Sequence, residues 1–275
     1  MFSTDGPARS PASISGALRQ LSECLADEMG LAKDAAGESF RIRVASDRET
    51  RRRAYALAYR VYRACGYAQN AQGLVVSNFD ADPRTLTLLA EDEDGRDAAT
   101  VSLVFDGNDG LPSDEIFSSE LGRLRAGGAW LTEITRLAIS AKHQHSKILL
   151  LRLINFLFLF ARRVNGADGG VIEVNPRHAA FYRRLLLFNQ EGPERTCPRV
   201  CGAPAVLLHI PYERVEEELE RNTRTRSRTL YSRFYSAPDD DAAVKFLAEC
   251  HKPMSSVDAR AFGLSSSAHA TSAAD

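Results

Sequence analysis

Segments of period-two hydrophobic alternation are interleaved along this chain with segments of helical period, and their order sketches a fold. RIRVA (41–45) alternates as a strand, and Glu49 to Ala64 follows as a helix with Tyr55, Ala58, Tyr59 and Tyr62 toward one side. Gly66 to Asn78 has no strong period and reads as a substrate-facing loop. TLTLLAED (85–92) and ATVSLVFD (99–106) flank the charged turn EDEDGRD, the mark of an antiparallel hairpin. A short helix within 111–128 precedes another strand, AWLTEITRLAIS (129–140). Ile148 to Phe160 is apolar on nearly every side, interrupted only by Arg152 and Asn155, which predicts a helix at 147–164 buried against a sheet. PAVLLHIPY (204–212) reads as the closing strand.

Between these last two lies VIEVNPRHAAFYRRLLLF (171–188). The strand Val171, Ile172, Val174 stops at Asn175, whose side chain can satisfy backbone groups there, and Pro176 suits a first helical turn. Tyr182 then falls on the second turn of the new helix, near the gap the strand leaves. The element order predicts an α/β (α+β) fold, a mixed central sheet flanked by helices. The core spans 39–212. Residues 1–38 form an extension, flexible or helical, with helical spacing from Ile14 to Met29 that either docks on the body or stays mobile. A helical C-terminal extension at 213–254 includes YERVEEELERN, the basic aromatic stretch TRTRSRTLYSRFYS and DDDAAVKFLAECH. The Ser- and Ala-rich end, 255–275, is expected to lack structure.

Composition narrows the function classes. A formal net charge of -1 argues against a strongly basic nucleic-acid face. The apolar run at 148–160 is too short for the roughly 20 residues of a membrane span. Five scattered cysteines and a first segment with neither charged nor apolar signal regions point to reduced thiols and a cytoplasmic setting. Cys197 and Cys201 form a CxxxC pair without the second half of a zinc set, so no metal is expected. Cys65 and Cys201 have no obvious base beside them and read as ordinary thiols.

Two opposite charges, Glu133 and Arg136, lie in the apolar strand WLTEITRLAI. Simple alternation sends them to opposite faces, and a bulge between them would change that. Such charges are costly unless paired or used.

GxWLTEITRLAIS, a buried helix and then VIEVNPRHAAFYRRLLLF and GPERTCPRVCGAPAVLLHI together resemble the N-acyl amino acid synthases, GNAT-fold relatives of the acyl-homoserine lactone synthases. YRVYRACGYAQ (59–69) resembles their N-terminal motif, so the likeness covers about 41–212. The resemblance implies a GNAT-like sheet and transfer of a long fatty acyl chain to the amine of an amino-acid acceptor. The donor would be acyl carrier protein, with the acyl group on a phosphopantetheine arm and no tightly bound cofactor. Glu133 and Arg136 match a Glu-x-x-Arg block near the acceptor pocket, and Arg60 and Asp80 would join its charged network. Asn175 and Tyr182 match the superfamily Asn and Tyr, with Tyr182 protonating the departing thiolate. Glu133 would take the amine proton, a backbone N–H near Leu137 or Ala138 would hold the oxyanion, and Arg136 or Arg60 would bind the acceptor carboxylate. Phe156, Phe158, Phe160 and Phe181 are candidate walls for the chain, or plain core. His178 either faces the cleft or stands on the surface.

The sequence departs from the pattern twice. Where acetyl-CoA users carry a Gly-rich turn that cradles pyrophosphate, this chain reads AKHQHSKILL (141–150) without a glycine. That favours carrier protein over CoA, with Lys142, His143 and Lys147 offered to its acidic surface. Leu187 replaces a glycine suited to positive φ at a helix end, which suggests a different exit for the chain there. A lactone synthase using S-adenosylmethionine and a non-catalytic acyl-chain or carrier-protein binder are the alternatives.

Overall fold

The computed structural model describes residues 39–222 and 237–264. The helix expected at 14–29, the basic aromatic stretch 223–236 and residues 265–275 lie outside the described residues.

The chain folds in the order β1 (Arg41–Val44), α1 (Arg48–Ala64), β2 (Leu86–Glu91), β3 (Asp97–Phe105), α2 (Asp114–Ala126), β4 (Leu131–Ile139), α3 (Lys147–Phe158), β5 (Gly169–Val174) and α4 (Pro176–Leu185). Then come β6 (Asn189–Gln190), β7 (Arg195–Cys197), β8 (Ala203–Pro211), α5 (Tyr212–Asn222), α6 (Ala237–Cys250) and α7 (Ser256–Ala261). Strands β1-β2-β3-β4-β5-β8-β6 form one mixed sheet, with β7 pairing β8 as well. Only β4 and β5 run parallel; the other pairs are antiparallel. This is the mixed α/β architecture that the element order predicts, and it fits the GNAT-like sheet that the resemblance implies.

Local chemistry sets the helix starts. Asp47 caps α1 by accepting from the Thr50 N–H at 2.8 Å, and Ser146 caps α3 through the Leu149 N–H. One sheet face lies under α1 and α2: Tyr55 and Leu57 pack near Leu89, while Phe117 and Leu121 pack on Val104, Leu131 and Val171. The other face carries the larger core. There Leu149, Leu153, Phe156 and Leu157 of α3 lie over Leu88, Leu103, Ile134, Ile172 and Leu208, closed in by α4, α5 and α6. Phe156, Phe158 and Phe160 belong to this core, and the helix continues past Phe158 as a wider π turn at Leu159–Val164. A fully buried Phe or Leu contributes about 1.5–3 kcal/mol of apolar transfer, so this doubly covered sheet anchors the fold.

One expectation needs correction. Residues 255–264 are ordered: Ser255 caps α7, and Ala259 and Leu264 are buried. The strands β6 and β7 are too short to carry a periodic signal, yet both pair with β8 and extend the strand pairing beyond it.

Candidate active site

The site begins where the two parallel strands part. β4 and β5 pair only through Leu131–Ile134 and Gly169–Ile172. Beyond that β4 continues to Ile139, while β5 ends at Val174 and turns into α4. The opening widens into a cleft of about 650 Å³ lined by Glu133, Ile134, Arg136, Leu137, Ile172, Val174 and Tyr182. The loop Tyr67 to Asn70 and Val75 to Ser77 forms a further wall.

A bulge decides which side chains face this cleft. The β3–β4 register runs from Ser102 opposite Thr135 to Thr100 opposite Ala138, so Val101 faces two residues, Arg136 and Leu137. Arg136 takes the left-handed conformation at φ 55°, which costs a non-glycine residue about 1–2 kcal/mol. The extra residue cancels the alternation that would have separated the charges. Glu133 and Arg136 therefore both point to the face covered by α1 and α2: Glu133 meets Ser113 at the start of α2, and Arg136 lies 5.0 Å from the Tyr55 ring of α1.

Glu133 is 2% exposed and reaches the cleft wall. Its Oε2 accepts from the Ser113 N–H at 2.8 Å and from the Ser113 hydroxyl. Among the described residues none donates to Oε1. Burial pushes its carboxyl up to about 7; the Ser113 bonds pull the other way, and the nearby Glu173 charge adds to the rise. A carboxylate that titrates near neutrality suits proton abstraction.

Arg136 is 5% exposed and faces Asp80, itself 3% exposed. Its Nη1 donates to Asp80 Oδ2 at 2.6 Å and its Nη2 donates to Asp80 Oδ1. Nε donates to Ser102 Oγ at 3.2 Å. Burial works against the charged guanidinium, and the Asp80 charge overcomes it, holding Arg136 above the usual arginine range. Asp80 is held in turn by the Ser77 N–H at 2.8 Å. With both terminal nitrogens spent on Asp80, Arg136 has no free fork for an acceptor carboxylate. Arg60 cannot supply it either. It is exposed on α1, 3.8 Å from Asp97 at the start of β3, away from the cleft.

Asn175 caps α4 as its sequence suggests, accepting from the Arg177 N–H at 3.2 Å with Pro176 in the first turn. Tyr182 is 8% exposed and lines the cleft beside Phe181 and Phe188. Burial holds its phenol above the ordinary tyrosine value, so it is a protonated donor at neutral pH. The carbonyl of Tyr182 receives the N–H groups of both Leu186 and Phe188 as α4 ends. Leu187 between them sits at φ 57°. The leucine thus keeps the left-handed geometry of a glycine, correcting the expectation of a different exit.

His178 is exposed at the cleft mouth, where it accepts from Arg177 Nε at 3.0 Å. Leu137 lines the cleft, while Ala138 lies in the ladder opposite Thr100 and is not part of the lining. The offered basic surface is also altered. His143 is buried, edge-on to Phe40 and 3.2 Å from Asp92, and Lys142 is bonded to the same Asp92 at 2.8 Å. Of those three, Lys147 has its side chain exposed without such a partner among the described residues.

Several residues emerge only in three dimensions. Ser113 fixes Glu133, and Arg199 forks onto Glu115 and Glu173 beside it. Cys65, Cys197 and Cys201 line the cleft, and burial together with a hydrogen bond to Glu173 pushes the Cys197 thiol up to about 12. Such a thiol is a poor nucleophile. Among the described residues no group of three acidic, His or Cys side chains is placed to hold a metal. No described helix is long and apolar enough to cross a membrane.

The family model for the N-acyl amino acid synthase FeeM matches residues 53–211. The solved structure of FeeM, from uncultured soil microbes, is similar with a TM-score of 0.59 at 24% identity, covering 73% of this chain and 100% of that one. The AHL synthase LasI gives a TM-score of 0.48 at 14% identity, over 64% of this chain and 91% of that one. An acetyltransferase of the GNAT family from Streptococcus pneumoniae gives 0.44 at 16% identity, over 62% and 98%. No curated protein matches the sequence.

Proposed function

Because the chain belongs to the FeeM family of N-acyl amino acid synthases, and is therefore an acyltransferase, we propose that it moves a long fatty acyl chain from acyl carrier protein to the amine of an amino acid. The observation that carries this reading is the parted β4–β5 pair, with a carboxyl that titrates near 7 on one wall and a buried phenol on another.

The reaction needs a neutral amine, a polarised thioester and a protonated leaving thiol. Glu133 takes the amine proton, directly or through one water, as nitrogen attacks the carbonyl carbon. Past Ile134, β4 has no strand partner on its β5 side among the described residues, and a backbone N–H beside Leu137 receives the oxyanion. The carbon–sulfur bond then breaks, and Tyr182 gives its proton to the phosphopantetheine thiolate. Arg136 touches neither substrate in this scheme. With Asp80 it holds the bulge that lies between Glu133 and the cleft-lining Leu137.

The choice of carrier protein over CoA rests on residues 141–150. That stretch, a short 3-10 turn followed by Ser146 and α3, has no glycine where a pyrophosphate would approach the backbone. A carrier-borne pantetheine needs no such cradle.

Purified protein should be given long-chain acyl carrier protein, the matching acyl-CoA, or neither, with a panel of amino acids, and the products read by mass spectrometry. N-acyl amino acids formed fastest from the carrier-bound donor are expected. Release of methylthioadenosine from S-adenosylmethionine, with a lactone product, would replace this reading by that of a lactone synthase.

A further inference from the structure

The cleft wall holds three arginines, and two are already neutralised. Arg136 is bonded to Asp80, and Arg199 to Glu115 and Glu173. Arg177, the third, has no carboxylate partner among the described residues. It is held in place all the same. Its Nη2 donates to Tyr67 Oη at 2.9 Å, its Nε donates to His178 Nε2 at 3.0 Å, and its Cζ stands 5.9 Å from the centre of the Tyr67 ring. Asn175 Nδ2 also reaches Tyr67 Oη, at 3.4 Å. Nη1 is left without a partner among the described residues.

An exposed arginine normally gives up much of its pairing energy to side-chain ordering. Here Tyr67 and His178 have already ordered the guanidinium, so an incoming anion meets a fixed donor. By accepting from Arg177, His178 carries its own proton on Nδ1. Burial and then the Arg177 charge lower its proton affinity, so it stays neutral and leaves the single positive charge on Arg177.

Among the described residues the cleft therefore has one cation to offer, at its mouth, and a proton-accepting carboxylate deeper in. A zwitterionic acceptor fits that polarity, with its amine turned inward and its carboxylate outward. We infer that Arg177, steadied by Tyr67 and His178, receives the α-carboxylate of the amino-acid acceptor. A guanidinium suits a carboxylate better than an ammonium does, because its planar N–H groups match the two oxygens. This rests on the N-acylation reading above, and it moves the carboxylate site away from Arg136 and Arg60. The phosphate of the donor's pantetheine arm is the competing anion for the same group.

The test compares wild type with Arg177→Ala and Arg177→Lys on the twenty amino acids, each beside its carboxamide, with donor concentration varied separately. Loss of a charge-assisted contact should raise the acceptor KM by about ten- to a hundredfold in Arg177→Ala, with Arg177→Lys between. The acid and amide forms of the best acceptor should converge in kcat/KM, and the donor KM should stay near its wild-type value. Tyr67→Phe should raise the acceptor KM in the same direction by less. A rise confined to the donor KM would assign Arg177 to the phosphate and overturn the proposal, as would unchanged discrimination between acid and amide. If wild type acylates no amine, the N-acylation reading fails by itself. Calorimetric titration of the same panel then decides the carboxylate site, since Arg177→Ala must abolish a preference for acid over amide that wild type shows, and a wild type without that preference overturns the proposal.

Discussion

Glu133 and Arg136 stand three residues apart on one strand, on one face, and both are nearly excluded from solvent, yet they end in opposite electrostatic situations. At the Arg136 corner the charge is closed: Asp80 takes both terminal nitrogens, Ser102 takes Nε, and Asp80 is itself held by Ser77. At the Glu133 corner the only close donors among the described residues are those of Ser113, and both act on one oxygen. A buried charge that finds an opposite charge becomes architecture. One that finds only dipoles keeps a mobile proton and is available for chemistry. The same strand supplies both because the bulge between them turns Arg136 back onto the face of Glu133.

Removing one partner from the closed corner should have the largest effect. Asp80→Ala strands a buried guanidinium, and the expected loss is about 3–5 kcal/mol in urea denaturation. A loss below about 1 kcal/mol would mean that cleft water replaces Asp80, and the contrast between the corners would collapse. At the open corner, Glu133→Gln should leave the denaturation midpoint close to wild type below pH 4.5, where the wild-type carboxyl is neutral too, while kcat/KM at neutral pH falls by about 10²-fold or more. An unchanged rate would take Glu133 out of the chemistry.

Acidity separates the corners further. The rate of wild type should rise with pH through an apparent pKa near 7, and that inflection should vanish in Glu133→Gln. Stability should move in the other direction. Below its ordinary 4.5 Glu133 is protonated whether folded or not; between 4.5 and about 7 only the folded state keeps the proton. The stabilisation from that raised pKa is thus full below 4.5 and lost as pH climbs through 7, a fall of about 3 kcal/mol that the glutamine variant should lack. The smallest effect belongs to Leu187, strained at positive φ beyond the helix that carries Tyr182. Leu187→Gly should relieve that strain and stabilise by up to about 1 kcal/mol, less whatever apolar packing the leucine gives up. A clear loss of stability would show that packing, not backbone geometry, keeps leucine there.

Much of this was legible in the residues themselves. The cap of Asn175 and Pro176, the hairpin around EDEDGRD and the apolar helix after Ser146 are local patterns, and each formed where its pattern stood. Glu133 and Arg136 were visible as charges out of place in an apolar strand. Their division of labour was not. Asp80 lies 56 residues before Arg136, and Ser113 lies 20 before Glu133, so neither pairing leaves a mark in the local sequence. Arg60 misled because its motif sits on a helix whose rotation the motif does not encode; the packed helix turns it toward Asp97. Nothing local marks Arg177 among its basic neighbours: its place on the cleft wall and its bond to Tyr67, 110 residues away, are tertiary.

The sequence by itself determined the elements, their order and the kind of chemistry worth looking for, because hydrophobic period and capping act within a few residues. Tertiary structure alone decided which charge is closed and which is open. A one-residue bulge reverses a strand's faces, no glycine announces it here, and the worth of a buried charge depends on partners that only the packed, low-dielectric fold brings within reach.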